Sequence, residues 1–160
     1  MPKSKPKNTP KINPFKIAVE NTVDIADDYQ VGLKGLGAYS TKIELADTRL
    51  CEGSINIDDA LQELYPQSNR WDYALSYESK VYFVEVHAAK TGEMDTMFKK
   101  LEWLKDWLRN NAPEIQQLSA EKPFHWVAVN GVHILKQSAQ YKQLTLKGFL
   151  PISKLKLPIV

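Results

Sequence analysis

Between residues 92 and 109, Met94, Met97, Phe98, Leu101, Leu104 and Leu108 recur at the spacing of one helix face. A helix with one apolar stripe must bury it against another element. The neighbouring sequence offers a sheet. Residues 71–77 and 81–88 are two short runs rich in aromatic and β-branched residues, joined by a polar turn, and residues 124–129 form a third. Hairpin, amphipathic helix, then buried strand predicts an α/β domain with a mixed central sheet flanked by helices. The long helix crosses over to a strand parallel to the second hairpin strand.

The remaining elements are read from local punctuation. A short helix is expected over residues 17–28, interrupted downstream by Gly32, Gly35 and Gly37. Strands are expected at 41–47 and 50–55. Asn56 is placed to cap a helix running through Tyr65 and stopped by Pro66. Thr91 is placed to cap the long helix. Asn130-Gly131 is a hairpin signal leading into residues 132–135. A helix follows over 138–146, and the tail alternates Ile152, Leu155, Leu157 and Ile159 as an extended segment. Trp103 and Trp107 flank the helix stripe and should seal it against a neighbour.

The 160 residues, 43% hydrophobic and 25% charged, suit one globular domain. Residues 1–16 hold five lysines, several prolines and little to bury, so they are expected to be a disordered basic leader before a single domain at 17–160. Cys51 stands alone and no apolar run approaches the ~20 residues of a membrane span, which together predict a cytoplasmic protein. Residues 122–160 carry six lysines and no acid, leaving 17–121 strongly acidic. Such asymmetry fits basic arms that reach a polyanion around an acidic, metal-holding centre, or simply a solvated surface.

One constellation carries chemistry. If the hairpin loop has an even number of residues, Asp72 lies directly across from Glu85, on one face of the sheet, with Cβ atoms roughly 5 Å apart. His87 projects to that face too, beside Ala74, Ser76, Val81 and Phe83. An odd loop would set Asp72 across from Val86 instead. Facing carboxylates repel, so a divalent cation, a shared proton or a basic side chain such as Lys90 or Arg70 should offset the cost. His125 and His133 fall among apolar strand residues, where a hydrogen-bonded structural role is expected. Neither they nor Cys51 has zinc-site spacing.

The segment Trp71-Asp72-Tyr73-Ala74-Leu75, followed by Val84-Glu85-Val86-His87, resembles the PD-(D/E)xK nuclease superfamily. That superfamily sets an Asp on one strand and E-x-K on the next, then a helix and a further strand. The resemblance covers about residues 56–130. It implies a restriction-endonuclease-like core, with Asp72 and Glu85 holding Mg²⁺ or Mn²⁺ helped by the Val86 carbonyl, and DNA or RNA as substrate. Trp71 stands where the motif usually has proline, and His87 where it has lysine. His87 would then act as general base, metal ligand or water-orienting group, with Lys90, Lys99 or Lys100 supplying the missing charge. The expected site set is therefore Asp72, Glu85, His87 and Lys90, and Glu63 loosely matches an extra acid on a first helix. The alternative implied by the same likeness is a catalytically degenerate member that binds a protein or nucleic-acid partner.

Overall fold

A computed structural model describes residues 12–159. In chain order it forms α1 (Pro14–Glu20), β1 (Gln30–Val31), β2 (Ile43–Leu45), β3 (Cys51–Asn56), α2 (Ile57–Leu61) and β4 (Tyr73–Tyr77). There follow β5 (Lys80–Lys90), α3 (Met94–Asn111), α4 (Pro113–Gln117), β6 (Ser119–His133), α5 (Ala139–Leu146) and β7 (Leu155–Leu157). Five strands make the central sheet in the order β1-β3-β4-β5-β6, and β2 pairs with β7 in a small parallel sheet. The strands β1, β3, β4 and β5 run antiparallel to their neighbours, and only β6 joins in parallel, after α3 and α4. The sheet is therefore mixed, and the chain is α/β.

The β4–β5 hairpin closes through Glu78 and Ser79, both at positive φ (50° and 62°), as a two-residue turn with left-handed central residues requires. That even loop sets Tyr73 opposite Val84 and Ala74 opposite Phe83. Alternation then divides the hairpin between two cores. Ala74, Val81 and Phe83 join Trp126, Met97, Leu101, Leu104 and Leu108 beneath the helices. Leu75, Tyr77, Val84 and Val86 face the other way, onto Leu36, Ile43, Leu155 and Leu157. Helices thus cover one face, while a 3₁₀ segment (Lys34–Lys42) and the β2–β7 sheet cover the second. The stripe on α3 is buried as its spacing requires. Trp103 and Trp107 stack on it with centroids 6.1 Å apart, and Trp107 Nε1 donates to Asp24 Oδ2.

Several local expectations give way to tertiary packing. The ordered body begins earlier than residue 17: Asn13 caps α1, Pro14 opens it, and Phe15 is fully buried against the helical core. A single aromatic in a lysine- and proline-rich stretch was enough to dock those residues, so the leader boundary at 16 is corrected; residues 1–11 lie outside the described part. The helix expected over 17–28 is split, α1 ending at Glu20 and a 3₁₀ turn occupying Val23–Ile25. Asn56 does cap α2, accepting from Asp59 N, but the helix stops at Leu61, before Pro66. A 3₁₀ turn at Thr91–Glu93 precedes α3, and Thr91 does not cap it. Pro113, rather than only ending α3, starts α4.

Asn130-Gly131 makes no hairpin. β6 runs on to His133, in parallel with β5 throughout, and the register slips between the pairs His87↔Ala128 and Ala89↔Val132. The dipeptide is absorbed as a bulge, with Gly131 at φ +84°. Lys42 Nζ donates to the Ala128 and Val129 carbonyls at 3.3 Å, and so serves acceptors the bulge leaves over. On its outer edge β6 meets the tail: Ile152 N donates to Trp126 O, and Ala128 N to Ile152 O. No helix among the described residues is long and apolar enough to cross a membrane.

Because Phe15 anchors α1, Phe15→Ala should cost about 3–5 kcal/mol in urea unfolding. A chain begun at Ile17 should lose a similar amount. Stability equal to wild type in both would remove α1 from the folding unit.

Candidate functional site

Asp72 stands just before β4, where its carbonyl accepts from Ile57 N (2.8 Å) and Asp58 N (3.3 Å) at the start of α2. Its position is thus fixed by two elements at once. Glu85 lies in the middle of β5 and is 0% exposed. The two acids are tied by reciprocal bonds: Asp72 N donates to Glu85 Oε1 at 3.0 Å, and Val86 N donates to Asp72 Oδ2 at 3.0 Å. These side-chain acceptors continue the β4–β5 ladder beyond its last backbone pair. Of the two registers open to the sequence, the even-loop one is adopted, and both carboxylates meet on the face covered by α3.

Lys100, one and a half turns into α3, donates from Nζ to Glu85 Oε2 at 2.7 Å. It is the basic side chain that offsets the facing acids. Lys90 does not: it sits exposed at the end of β5, opposite His133, and makes no ion pair among the described residues. Arg70 does not either, since it bonds Asp58 and the Tyr65 carbonyl. Ala89 continues the face of Glu85 and His87 into the helical core, so alternation along β5 turns Lys90 to the other side.

His87, two residues after Glu85 on the same face, is held at both ring nitrogens. Nδ1 lies 3.5 Å from Glu85 Oε2, and Nε2 lies 2.8 Å from Glu93 Oε2. The bond to Glu85 raises the imidazole pKa, burial opposes it, and Glu93 adds to the rise. A ring flanked by two carboxylates favours its cationic form. Glu93 belongs to the 3₁₀ turn ahead of α3, and only the folding of that turn back onto β5 brings it to His87, a contact no strand pattern signals. Lys100 had a clearer signal: it follows Met97 by three residues and precedes Leu104 by four, on the border of the buried stripe. Glu63, by contrast, is exposed and bonded to none of these groups.

The remaining acid is electrostatically unusual. Burial, reinforced by the Glu85 charge and opposed by Lys100 and the Val86 N–H, pushes the Asp72 carboxyl up to about 7. Near neutrality Asp72 is therefore divided between acid and carboxylate. At lower pH its carboxyl holds a proton, and at higher pH it is ionised. Two hard carboxylates at this spacing are suitable donors for a divalent cation. A cation shared by both must take Glu85 Oε2 from the Lys100 ammonium. Among the described residues no group of three or more His, Cys, Asp or Glu side chains is arranged to hold a metal. His125 and His133 bond backbone carbonyls, at Lys122 and Asn130, in structural roles.

No protein-family model, curated protein or solved structure matches the chain.

Removing Lys100 leaves a buried carboxylate without its counter-ion. Lys100→Met should cost about 3–5 kcal/mol, and adding Glu85→Gln should recover most of it. Additive losses in this cycle would show that the two groups are energetically independent. Asp72 makes stability depend on pH, because its folded pKa lies above the ordinary value of 3.8. The stability it contributes is complete below about pH 4 and is lost as pH rises through about 7. Asp72→Asn, which can keep its oxygen on the Val86 N–H, should match wild type at pH 4. By pH 8 it should be about 2–4 kcal/mol more stable. A pH-independent difference would contradict the assigned shift.

Proposed function

We propose that the chain is a divergent PD-(D/E)xK nuclease-like protein, hydrolysing phosphodiester bonds of DNA or RNA with Mg²⁺ or Mn²⁺ held by Asp72 and Glu85. The observation that carries this reading is the convergence of Asp72, Glu85 and the Lys100 ammonium on the face of the sheet beneath α3. The element order supports it. The strand after Asp72, the strand bearing Glu85, the helix α3 and then a strand parallel to β5 come in the order that the sequence resemblance implies. Lys100 lies on the helix rather than two residues after Glu85, yet its charge reaches the same carboxylate.

When bound, such an ion polarises the phosphate and lowers the pKa of its water. The protein's own groups have separable tasks. Asp72 and Glu85 bind the cation, Lys100 brings fixed positive charge toward the developing phosphate charge, and Glu93 orients His87 through Nε2. Asp72 must lose its proton to serve as ligand, so cation affinity should rise with pH and level off above about 7.

A second reading has its own observation. Both Glu85 oxygens are already engaged, by Asp72 N and Lys100 Nζ, and His87 bridges Glu85 to Glu93. A polar cluster that satisfies itself fits a catalytically silent member of the same class, serving as a protein or nucleic-acid binding module.

The two separate at pH 8, where Asp72 is ionised. In the nuclease reading Mg²⁺ or Mn²⁺ raises the melting temperature of wild type but not of Asp72→Asn. Metal-dependent cutting of labelled DNA or RNA then falls about 10²-fold or more in Glu85→Gln. Absence of both metal stabilisation and cutting in wild type would leave only the silent module.

A further inference from the structure

Away from the acidic cluster, the far half of α3, the start of β6 and the end of α5 enclose a cavity of about 330 Å³. Lys105, Lys122 and Lys147 line it, together with the apolar Phe124 and Phe149 and a single acid, Glu121. None of the three lysines forms an ion pair among the described residues, Glu121 included. This contrasts with Lys100, five residues earlier on the same helix, which is spent on Glu85.

Two of these ammonium groups are positioned by aromatic rings. Lys105 Nζ lies 5.3 Å from the Phe124 ring centroid, and Lys147 Nζ lies 5.1 Å from that of Phe98. Each ring attracts the cation and restrains a side chain that would otherwise be mobile. Phe124 is itself stacked on Phe83 at 5.6 Å, so the support is anchored in the sheet. Like charges gathered round one concavity repel each other, and an anion entering it relieves that repulsion. The volume lies within the range of small-molecule sites, and Leu101, Phe124 and Phe149 give the cavity an apolar side beside the lysines.

We propose that this cavity is a binding site for a nucleotide phosphate, with Lys105, Lys122 and Lys147 as its charge partners. The phosphate belongs either to a free mononucleotide or to a nucleic-acid strand; the chemistry recognised is the same. The site is separate from Asp72 and Glu85, and the inference stands whether or not those acids support hydrolysis.

The test uses the full chain with three probes: AMP, adenosine and a short single-stranded DNA oligonucleotide, titrated at constant ionic strength. AMP or the oligonucleotide should bind saturably, and Lys105→Ala/Lys147→Ala should weaken binding about tenfold or more. Lys122→Ala, whose ammonium rests on no ring, should weaken it as well; melting curves of each variant verify the fold. Binding of AMP identifies a free nucleotide, and binding of the oligonucleotide alone identifies a strand. The titrations are run in EDTA, without Mg²⁺ or Mn²⁺, which separates this result from the fate of the nuclease reading. The proposal is overturned if neither phosphate-bearing probe binds, if adenosine binds as tightly as AMP, or if folded lysine variants bind like wild type.

Discussion

A carboxylate with no solvent exposure lies at the middle of β5, and its neighbours are arranged around the need to satisfy it. Glu85 takes one hydrogen from the Asp72 backbone and one from the Lys100 ammonium, so a single side chain joins β4, β5 and α3. The Val86 N–H answers by bonding Asp72. Desolvation makes each unmade contact costly in such a place, and the geometry around it is correspondingly constrained. The same burial leaves Asp72 only partly ionised near neutrality, and His87 is held between Glu85 and Glu93. Structural order and chemical potential come here from one source.

How far the sequence revealed this depends on the range over which each feature is determined. The Asp72–Glu85 pairing was legible up to one unknown, the parity of the loop; the two-residue turn at Glu78 and Ser79 fixes the register, and alternation then places the side chains. The α3 stripe was legible from periodicity alone. Lys90 and Lys100 show where local reasoning fails: one looked near in sequence and points into solvent, the other arrives from a separate element after a turn. Asn130-Gly131 has strong hairpin character by itself, yet pairing of β6 with β5 outweighs it and converts the turn into a bulge. Phe15 gave almost no pattern, because one buried ring among prolines and lysines has no period to detect.

Charge is distributed along the chain in the same divided manner. Acids concentrate in the middle of the sequence and lysines at its end. Folding brings one lysine of α3 onto the acids and leaves the next turn of that helix beside basic residues of β6 and α5. The helix therefore presents a compensated environment toward its beginning and an uncompensated one toward its end, a contrast that net charge conceals.

The tail segment at Ile152 has a consequence for how the molecule behaves among copies of itself. β6 is the terminal strand of the sheet, long and apolar on its inner positions. Its outward groups at Trp126 and Ala128 are occupied by the Ile152 backbone. That short stretch works as a guard rail: it consumes hydrogen-bonding capacity that would otherwise template a strand from another molecule. Solubility of this fold thus depends partly on a few residues that contribute little to its core.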